Sequence, residues 1–361
     1  IQNAQVSPLL QVAGAFLHEF RLALLFLISG VGVSFALRSR NKAQFMRERA
    51  VRLLVPLVFG ILVIVPPMIF LEKRFIGEFS GSFVEFYPTF FTEGVYPGGN
   101  LSWHHYWFVV YLYLYCILGW PIFAHFKSSA GRQRLARWSQ AISRGAWLYI
   151  AIVPLAVVEI ALRAWFPGFP DLIHDWANVS HWFILFTAGF LLASSRPLLD
   201  RTQQLRGLTL ALAMMATAAM FAQFWRPEAG HLTPSVNGET GIGTYLWFCV
   251  LRVSNVWFWL LACLGYAGRY LRRSSRALTY LNGAVYPLFC LHLTVIVALE
   301  YLIVPLDWPI LQKYLVITTG ALVVSLGGYE LLLRRISWVR PLFGLKPMSG
   351  RRFEYGVRCR R

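Results

Sequence analysis

Long apolar runs alternate with shorter polar segments along the whole chain. A run of about 17–25 apolar residues is long enough for a helix to cross the ~30 Å hydrocarbon core of a bilayer. Nine runs meet this condition or come close to it, and we interpret each as a membrane-spanning helix. They cover residues 18–37, 53–71, 106–125, 146–166, 181–195, 207–225, 244–267, 283–304 and 311–333. The pattern therefore predicts an all-α fold, a polytopic integral membrane helical bundle.

Composition supports a membrane protein rather than a soluble one. The 361 residues are 57% hydrophobic and 14% charged, and the mean hydropathy is +0.54, which lies outside the usual range of soluble domains. No internal repeat and no linker divides the chain. We therefore expect a single transmembrane domain over residues 1–361 that ends in a basic tail, residues 334–361.

The net charge of +18 raises the question of a nucleic-acid partner, but the basic residues do not form one patch. Of the 34 Lys and Arg residues, 27 lie in alternate loops and in the tail. The loops between them are acidic or neutral. Positive residues near span ends stay cytoplasmic, so we expect a multi-pass protein of the inner (cytoplasmic) membrane with a cytoplasmic C-terminus and no nucleic-acid partner. The basic segments are 38–52, 126–145, 196–206, 268–282 and 334–361.

Nine spans and a cytoplasmic C-terminus would leave the N-terminus outside, although no signal peptide is visible. The chain begins at Ile1 rather than at a methionine. We therefore expect a tenth helix upstream of Ile1, which would put both ends of the complete protein in the cytoplasm.

Ionisable residues inside apolar spans are candidates for function because an unpaired charge there costs at least a few kcal/mol. Arg252 and His292 lie near the middle of their spans. Arg252 indicates either a functional role or a buried ion pair. His292 indicates either a hydrogen bond to a neighbouring helix or a place in a substrate passage. Glu159 and Arg163 are four residues apart and predict a self-neutralising pair on one helix.

Arg49 and Arg52 lie three residues apart at the start of the second span. Their forked donors suit the phosphates of a cytosolic ligand. The alternative is that they anchor the protein on anionic lipid.

His105 and its neighbour His104 lie between Trp103 and Trp107, where an outer loop reaches the membrane. Histidine can act as a general base and aromatic faces can stack on sugar rings. The alternative is an interfacial aromatic belt that includes histidines.

In the first span, Gly30 and the small residues near it predict close helix packing. No motif in the sequence predicts a bound metal.

Four short motifs, in order, resemble those of the membrane-bound acyltransferase family 3. Phe26-Leu27-Ile28-Ser29-Gly30 resembles its FFxLSG span, and the segment from Arg49 to Pro56 resembles its RxxRLxxP motif. His105-Tyr106-Trp107-Phe108 resembles H-x-W-F, and the segment from Tyr286 to His292 resembles Y-P-x-Y-x-x-H. The polar segment His18-Glu19-Phe20-Arg21 is most similar to the branch that contains the glucan biosynthesis protein C.

This resemblance implies about ten transmembrane helices and a cytoplasmic acyl-CoA donor. It also implies an O-acyltransferase that passes an acetyl or succinyl group to a hydroxyl of a carbohydrate, such as a glucan, in the cell envelope. On this hypothesis Arg49 and Arg52 bind phosphates of acyl-CoA, and His105 and His292 are catalytic. Arg252, Trp107 and Tyr286 would line the substrate passage.

The family also carries an arginine and a histidine on a first helix that would precede Ile1. We therefore expect either that a catalytic histidine lies upstream or that this polypeptide lacks it and is inactive. Two other classes stay open: a carrier or flippase for a polar lipid or glycan, and a scaffold subunit of a polysaccharide assembly complex. The acyl group, the acceptor and the oligomeric state are not specified by the sequence.

Overall fold

Helices make up almost all of the ordered structure. The computed structural model describes residues 1, 3, 6–96, 98–143, 145, 147–168, 171–227, 230–234, 240–271 and 275–346. Part of the predicted basic tail, residues 347–361, lies outside them. In these residues the α-helices are α1 (Pro8–Ala36), α2 (Lys42–Phe59), α3 (Val65–Phe75), α4 (Phe83–Thr92), α5 (Trp107–Leu118), α6 (Trp120–Lys127), α7 (Ser129–Ser143), α8 (Ile152–Leu162), α9 (Trp176–Ser194), α10 (Arg196–Gln204), α11 (Arg206–Phe224), α12 (Ile242–Tyr270), α13 (Arg276–Ile303) and α14 (Ile310–Gly328).

Short irregular helices and a small antiparallel strand pair also occur among the described residues. π-Helical turns cover Gly60–Ile64 and Tyr329–Leu333, and 3₁₀ turns cover His104–Tyr106, Trp147–Ala151 and Arg340–Phe343. The strands β1 (Trp225–Arg226) and β2 (His231–Leu232) pair antiparallel.

Seven helical stretches among the described residues are long and apolar enough to cross a membrane, and up to nine if each of two sharply bent helix pairs counts as one span. One bent pair is α5 and α6, which meet at an angle of 49°. The predicted all-α, polytopic class is confirmed.

Two helices extend well beyond the apolar runs that predict them. α1 begins at Pro8, ten residues before the run at 18–37, and proline is favourable in the first turn of a helix. α2 begins at Lys42 because the polar stretch before its apolar run is rich in Lys, Arg, Gln, Glu and Met, which all favour helix. Polar helix formers thus lengthen the second span, whereas the added part of α1 is itself mostly apolar.

The chain separates into two compact units. The first unit comprises Ile1–Asn3, Glu48–Val109 and Ser275–Arg361, and the second comprises Ala4–Arg47 and Val110–Ser274. A single domain over the whole chain stays a prediction.

In the second unit, α1 and α9 cross with their backbones in contact. A Cβ atom placed on Gly30 would lie 1.8 Å from the Phe186 carbonyl oxygen, and one placed on Gly189 would lie 2.0 Å from the Leu27 carbonyl oxygen. Further along, the hydroxyls of Ser34 and Ser194 are 3.0 Å apart. The predicted packing at Gly30 is therefore confirmed. The contacts advance along both helices from the stacked rings of Phe26 and Trp182 to the hydroxyls of Ser34 and Ser194, so the C-terminal ends of α1 and α9 lie together.

In the first unit, two consecutive prolines at the start of α3 shape the junction between α2 and α3. Pro66 and Pro67 have no N–H, so the carbonyls one turn earlier lose their usual helical donors, and a π-helical turn precedes them. The Tyr87 hydroxyl donates to the Leu62 carbonyl at 3.0 Å, and Thr294 of α13 donates to the Ile64 carbonyl at 2.9 Å. Side chains from α4 and α13 thus satisfy this irregular backbone.

Candidate functional site

Two histidines predicted to be catalytic meet in the first unit. The ring centroids of His105, in the 3₁₀ turn before α5, and His292, on α13, are 5.3 Å apart. Both side chains are partly buried. The structure therefore brings together two residues that are 187 positions apart in the sequence.

The hydrogen bonds of these rings define their tautomers. The Nε2 atom of His105 lies 3.3 Å from the Cys290 carbonyl oxygen, and the Nδ1 atom of His292 lies 2.8 Å from the Phe289 carbonyl oxygen. A carbonyl oxygen only accepts, so each of these nitrogens carries the proton and donates it. In the neutral imidazoles the lone pair then lies on Nδ1 of His105 and on Nε2 of His292.

The lone-pair nitrogen of His105 is buried. Within the part of the chain that the structure describes, its Nδ1 atom has no hydrogen-bond partner. A buried polar atom without a partner is unusual and needs an explanation. This nitrogen carries a lone pair, so it can accept a hydrogen bond. The catalytic role of His105 stays a prediction.

The neighbouring Tyr106 anchors the histidine turn. Its hydroxyl donates to the Cys290 carbonyl at 3.1 Å, so this carbonyl binds both Tyr106 and His105. The Tyr106 ring lies directly against Gly60, where an added Cβ would lie 2.2 Å from the ring. His104 has a φ of +38°, a strained value for a residue other than glycine. Tight packing thus determines the direction in which the histidine turn faces.

Aromatic rings connect the histidine pair to the arginine end of α2. Tyr286 stacks on Phe289 with centroids 6.0 Å apart and an interplanar angle of 5°, and Phe289 contacts His292 at 5.9 Å. The Tyr286 ring also packs against Gly344, beside the Arg52 backbone carbonyl. From Tyr286 to His292, α13 rises by about 9 Å at ~1.5 Å per residue.

The other predicted residues of the first unit lie on the same elements. Arg49 is partly buried and Arg52 is exposed, both on α2, and Trp107 is partly buried at the start of α5. The Tyr286 hydroxyl is buried and has no hydrogen-bond partner among the described residues. Binding of acyl-CoA by the arginines, and the passage roles of Trp107 and Tyr286, stay predictions.

Arg252, the remaining predicted residue, lies in the second unit and has two carboxylate partners. Its Nε atom is 3.1 Å from Glu19 Oε2, and its Nη1 atom is 3.0 Å from Glu159 Oε1. Glu159 also accepts two bonds from Arg163, at 2.9 and 3.1 Å, so the predicted Glu159–Arg163 pair is confirmed. The network holds two arginines and two carboxylates, which balances its charge. A passage role for Arg252 stays a prediction.

The network continues through polar side chains to the start of α9. Arg163 donates to the Asn178 side chain at 2.8 Å, and Asn178 and Tyr111 each donate to Asp175 at 2.7 Å. Asp175 is fully buried. Its burial raises the pKa of the carboxyl to about 6, although both hydrogen bonds oppose that shift.

Sequence reasoning missed Asp175, Asn178 and Tyr111 as members of this network, and it did not pair Glu19 with Arg252. A signal for Glu19 exists: it is an isolated carboxylate just before an apolar run, and Arg252 is an isolated cation within another. Tyr111 gives no such signal, because it lies among other aromatic residues of α5. Among the described residues, no group of three or more His, Cys, Asp or Glu side chains could hold a metal ion.

The apolar helices and the buried charge network define an integral membrane protein of the polytopic all-α class. A family model described as an acyltransferase domain, that of acyltransferase family 3, matches residues 2–330. The chain therefore belongs to the membrane-bound acyltransferase family 3, as the four motifs predict. Comparisons with curated proteins and with solved structures gave no match. The family supports acyl transfer to a carbohydrate or similar acceptor in general, and the narrower likeness to the glucan biosynthesis protein C branch stays a prediction.

Proposed function

We propose that this protein is an O-acyltransferase of the inner membrane. It transfers an acetyl or succinyl group from cytoplasmic acyl-CoA to a hydroxyl of a cell-envelope carbohydrate, and its C-terminus is cytoplasmic. The observation that carries the proposal is the pairing of His105 with His292 in a chain that belongs to an acyltransferase family. The assignment of the donor and the C-terminus to the cytoplasmic side of the membrane rests on the alternation of basic and acidic loops.

The donor end of the proposed site is the start of the second span. Arg49 and Arg52 lie on the same helix, so their guanidinium groups can both reach the phosphates of acyl-CoA. The stacked rings of Tyr286 and Phe289 extend from this end toward the histidine pair. A thioester bound there would lie against aromatic surface, away from water.

The proposed reaction is attack of the acceptor hydroxyl on the thioester carbonyl. Nδ1 of His105 accepts the hydroxyl proton as the oxygen bonds to the acyl carbon. The carbon–sulfur bond then breaks, and the CoA thiolate leaves and takes up the proton. The products are the acylated carbohydrate and CoA with a free thiol. His292, in contact with His105, positions the base.

His105→Gln in the full-length protein tests the base. General-base assistance contributes about 10²–10⁴-fold to a rate, so we expect a loss of that size in ester-linked acyl groups on surface glycans, measured by mass spectrometry. His125→Gln, on α6, is the matched control and should leave acylation unchanged. Unchanged acylation in the His105 variant would refute the assignment. Loss of whole glycans, with no change in their acylation, would favour the carrier.

Arg52→Gln tests the donor site separately. We expect a higher KM for acyl-CoA with little change in kcat, because the contact is equally present before and during the reaction. Arg47→Gln, at an exposed position of the same helix, is the control. A KM equal to that of the unchanged protein would show that the phosphates bind elsewhere.

A further inference from the structure

A cavity of about 590 Å³ opens in the second unit, where the C-terminal ends of α1 and α9 lie together. Its floor is apolar and includes the buried rings of Phe123 and Phe190. Residues of α6 and α7 contribute much of the lining. This volume is within the range of small-ligand sites.

The charged side chains that line the cavity, in the part of the chain that the structure describes, are all cations. They are Arg38, Lys127, Arg132 and Arg196, and together they are called the cationic rim of the cavity. Lys127 and Arg132 donate to backbone carbonyls of Arg40 and Lys127, respectively, and such bonds leave the positive charges in place. The N-terminus of α10 also lines the cavity and adds a partial positive charge. The cavity is therefore suited to an anion.

Ser195 is a second and independent sign of a ligand. It precedes α10 as the N-cap residue, where a serine hydroxyl ordinarily accepts a hydrogen bond from the first turn, but its hydroxyl does not cap the helix. The side chain lines the cavity and is 6% exposed. Its Oγ atom has no hydrogen-bond partner among the residues described. A polar ligand in the cavity would satisfy this buried hydroxyl.

The wall formed by α7 indicates the depth of the cavity in the membrane. This amphipathic helix buries Gly131, Leu135 and Ser139 on one face and exposes Trp138, Arg134 and Arg137 on the other. A helix with a basic polar face and an exposed tryptophan is typical of the headgroup region. The cavity beside it would then lie at the level of lipid phosphates.

We propose that this cavity binds the phosphate headgroup of an anionic phospholipid. The phosphate contacts the cationic rim and accepts a hydrogen bond from Ser195, while the glycerol and first acyl carbons lie on the phenylalanine floor. The site is separate from the proposed acyl-transfer site, because every residue that lines it belongs to the second unit.

The test compares two charge-matched double variants of the full-length protein in detergent. Arg38→Gln with Arg132→Gln removes two cations from the cavity rim. Arg134→Gln with Arg137→Gln removes two cations from residues of α7 that do not line it. Native mass spectrometry measures the affinity for phosphatidylglycerol, with phosphatidylcholine as the uncharged comparison. A cation near an anionic headgroup is worth about a factor of five in affinity, so we expect about 30-fold weaker binding for the rim pair only.

Ser195→Ala is a second variant that keeps the proposal testable if the rim pair fails to fold. The hydroxyl caps no helix, so its loss should leave the melting temperature unchanged in lipid-free detergent, and we expect about tenfold weaker binding of phosphatidylglycerol. Equal losses in both arginine pairs, or unchanged binding in Ser195→Ala, would overturn the proposal. Displacement of the lipid by inorganic phosphate or by CoA at similar concentrations would also overturn it, because the ligand would then be a soluble phosphate.

Discussion

Glu159 is the residue whose loss should most disturb the second unit. Its side chain is 1% exposed and accepts three guanidinium hydrogen bonds, two from Arg163 and one from Arg252. Glu159→Gln keeps the shape but removes the charge. Arg252 then keeps Glu19 as its partner, while the partly buried guanidinium group of Arg163 loses its carboxylate. Breaking a buried ion pair by removing one partner costs about 3–5 kcal/mol. We therefore expect the free energy of unfolding to fall by about that amount.

A double variant separates charge from shape. Glu159→Gln combined with Arg163→Met removes one charge of each sign and leaves the Arg252–Glu19 pair at 3.1 Å. Because the remaining charges balance, the double variant should be more stable than the sum of the single changes predicts, by about 1–3 kcal/mol. The assay is titration of the purified protein with SDS in mixed micelles, followed by tryptophan fluorescence.

Arg134→Met is the control for this series, since Arg134 is exposed on α7, and it should change stability by less than about 0.5 kcal/mol. Strict additivity of the two single changes would refute the argument, because it would mean that the carboxylate and the guanidinium groups do not interact in the folded protein.

Three further predictions follow from single side chains. Gly30→Ala forces a Cβ against the Phe186 carbonyl and should destabilise the protein by about 1–3 kcal/mol. Its control is Gly32→Ala, which should be neutral or slightly stabilising because no atom of the described residues lies within 4 Å of the added Cβ. Melting temperatures in detergent compare the two variants. Gly60→Ala should push the Tyr106 ring away, so that the protein stays folded but transfers acyl groups more slowly. Activity and unfolding measurements on the same preparation check this. The raised pKa of Asp175, about 6 against an ordinary 3.8, means that the folded state holds this proton more tightly. Stability should therefore fall by up to about 3 kcal/mol as the pH rises from about 4 to 6, and Asp175→Asn should remove that dependence.

Features that depend on local spacing could be predicted from the sequence. Apolar runs predict the helical membrane class because crossing a bilayer needs a definite length of apolar helix. The Glu159–Arg163 pair follows from its four-residue separation, and the close packing at Gly30 follows from the absence of a side chain. Each conclusion needs only residues on one helix.

Features that depend on contacts between distant segments could not be predicted. Arg252 pairs with Glu19 across 233 positions, and nothing in either span specifies which of several polar residues it will face. The contact between His105 and His292 has the same character: the motifs suggested both residues, but their proximity is a property of the packing. The π-helical turn at Gly60–Ile64 also depends on donors from Tyr87 and Thr294, which lie outside α2 and α3.

The glycine crossing of α1 and α9 limits how the second unit can move. Helices separated by layers of side chains can slide past one another as rotamers adjust, but two backbones in direct contact have no such layer to absorb shear. α1 and α9 should therefore move together as one rigid pair, held together by the Gly30 and Gly189 contacts. A conformational change that widens the cavity at their C-terminal ends must then be taken up by α6 and α7, which makes the Gly119 bend between α5 and α6 the expected hinge.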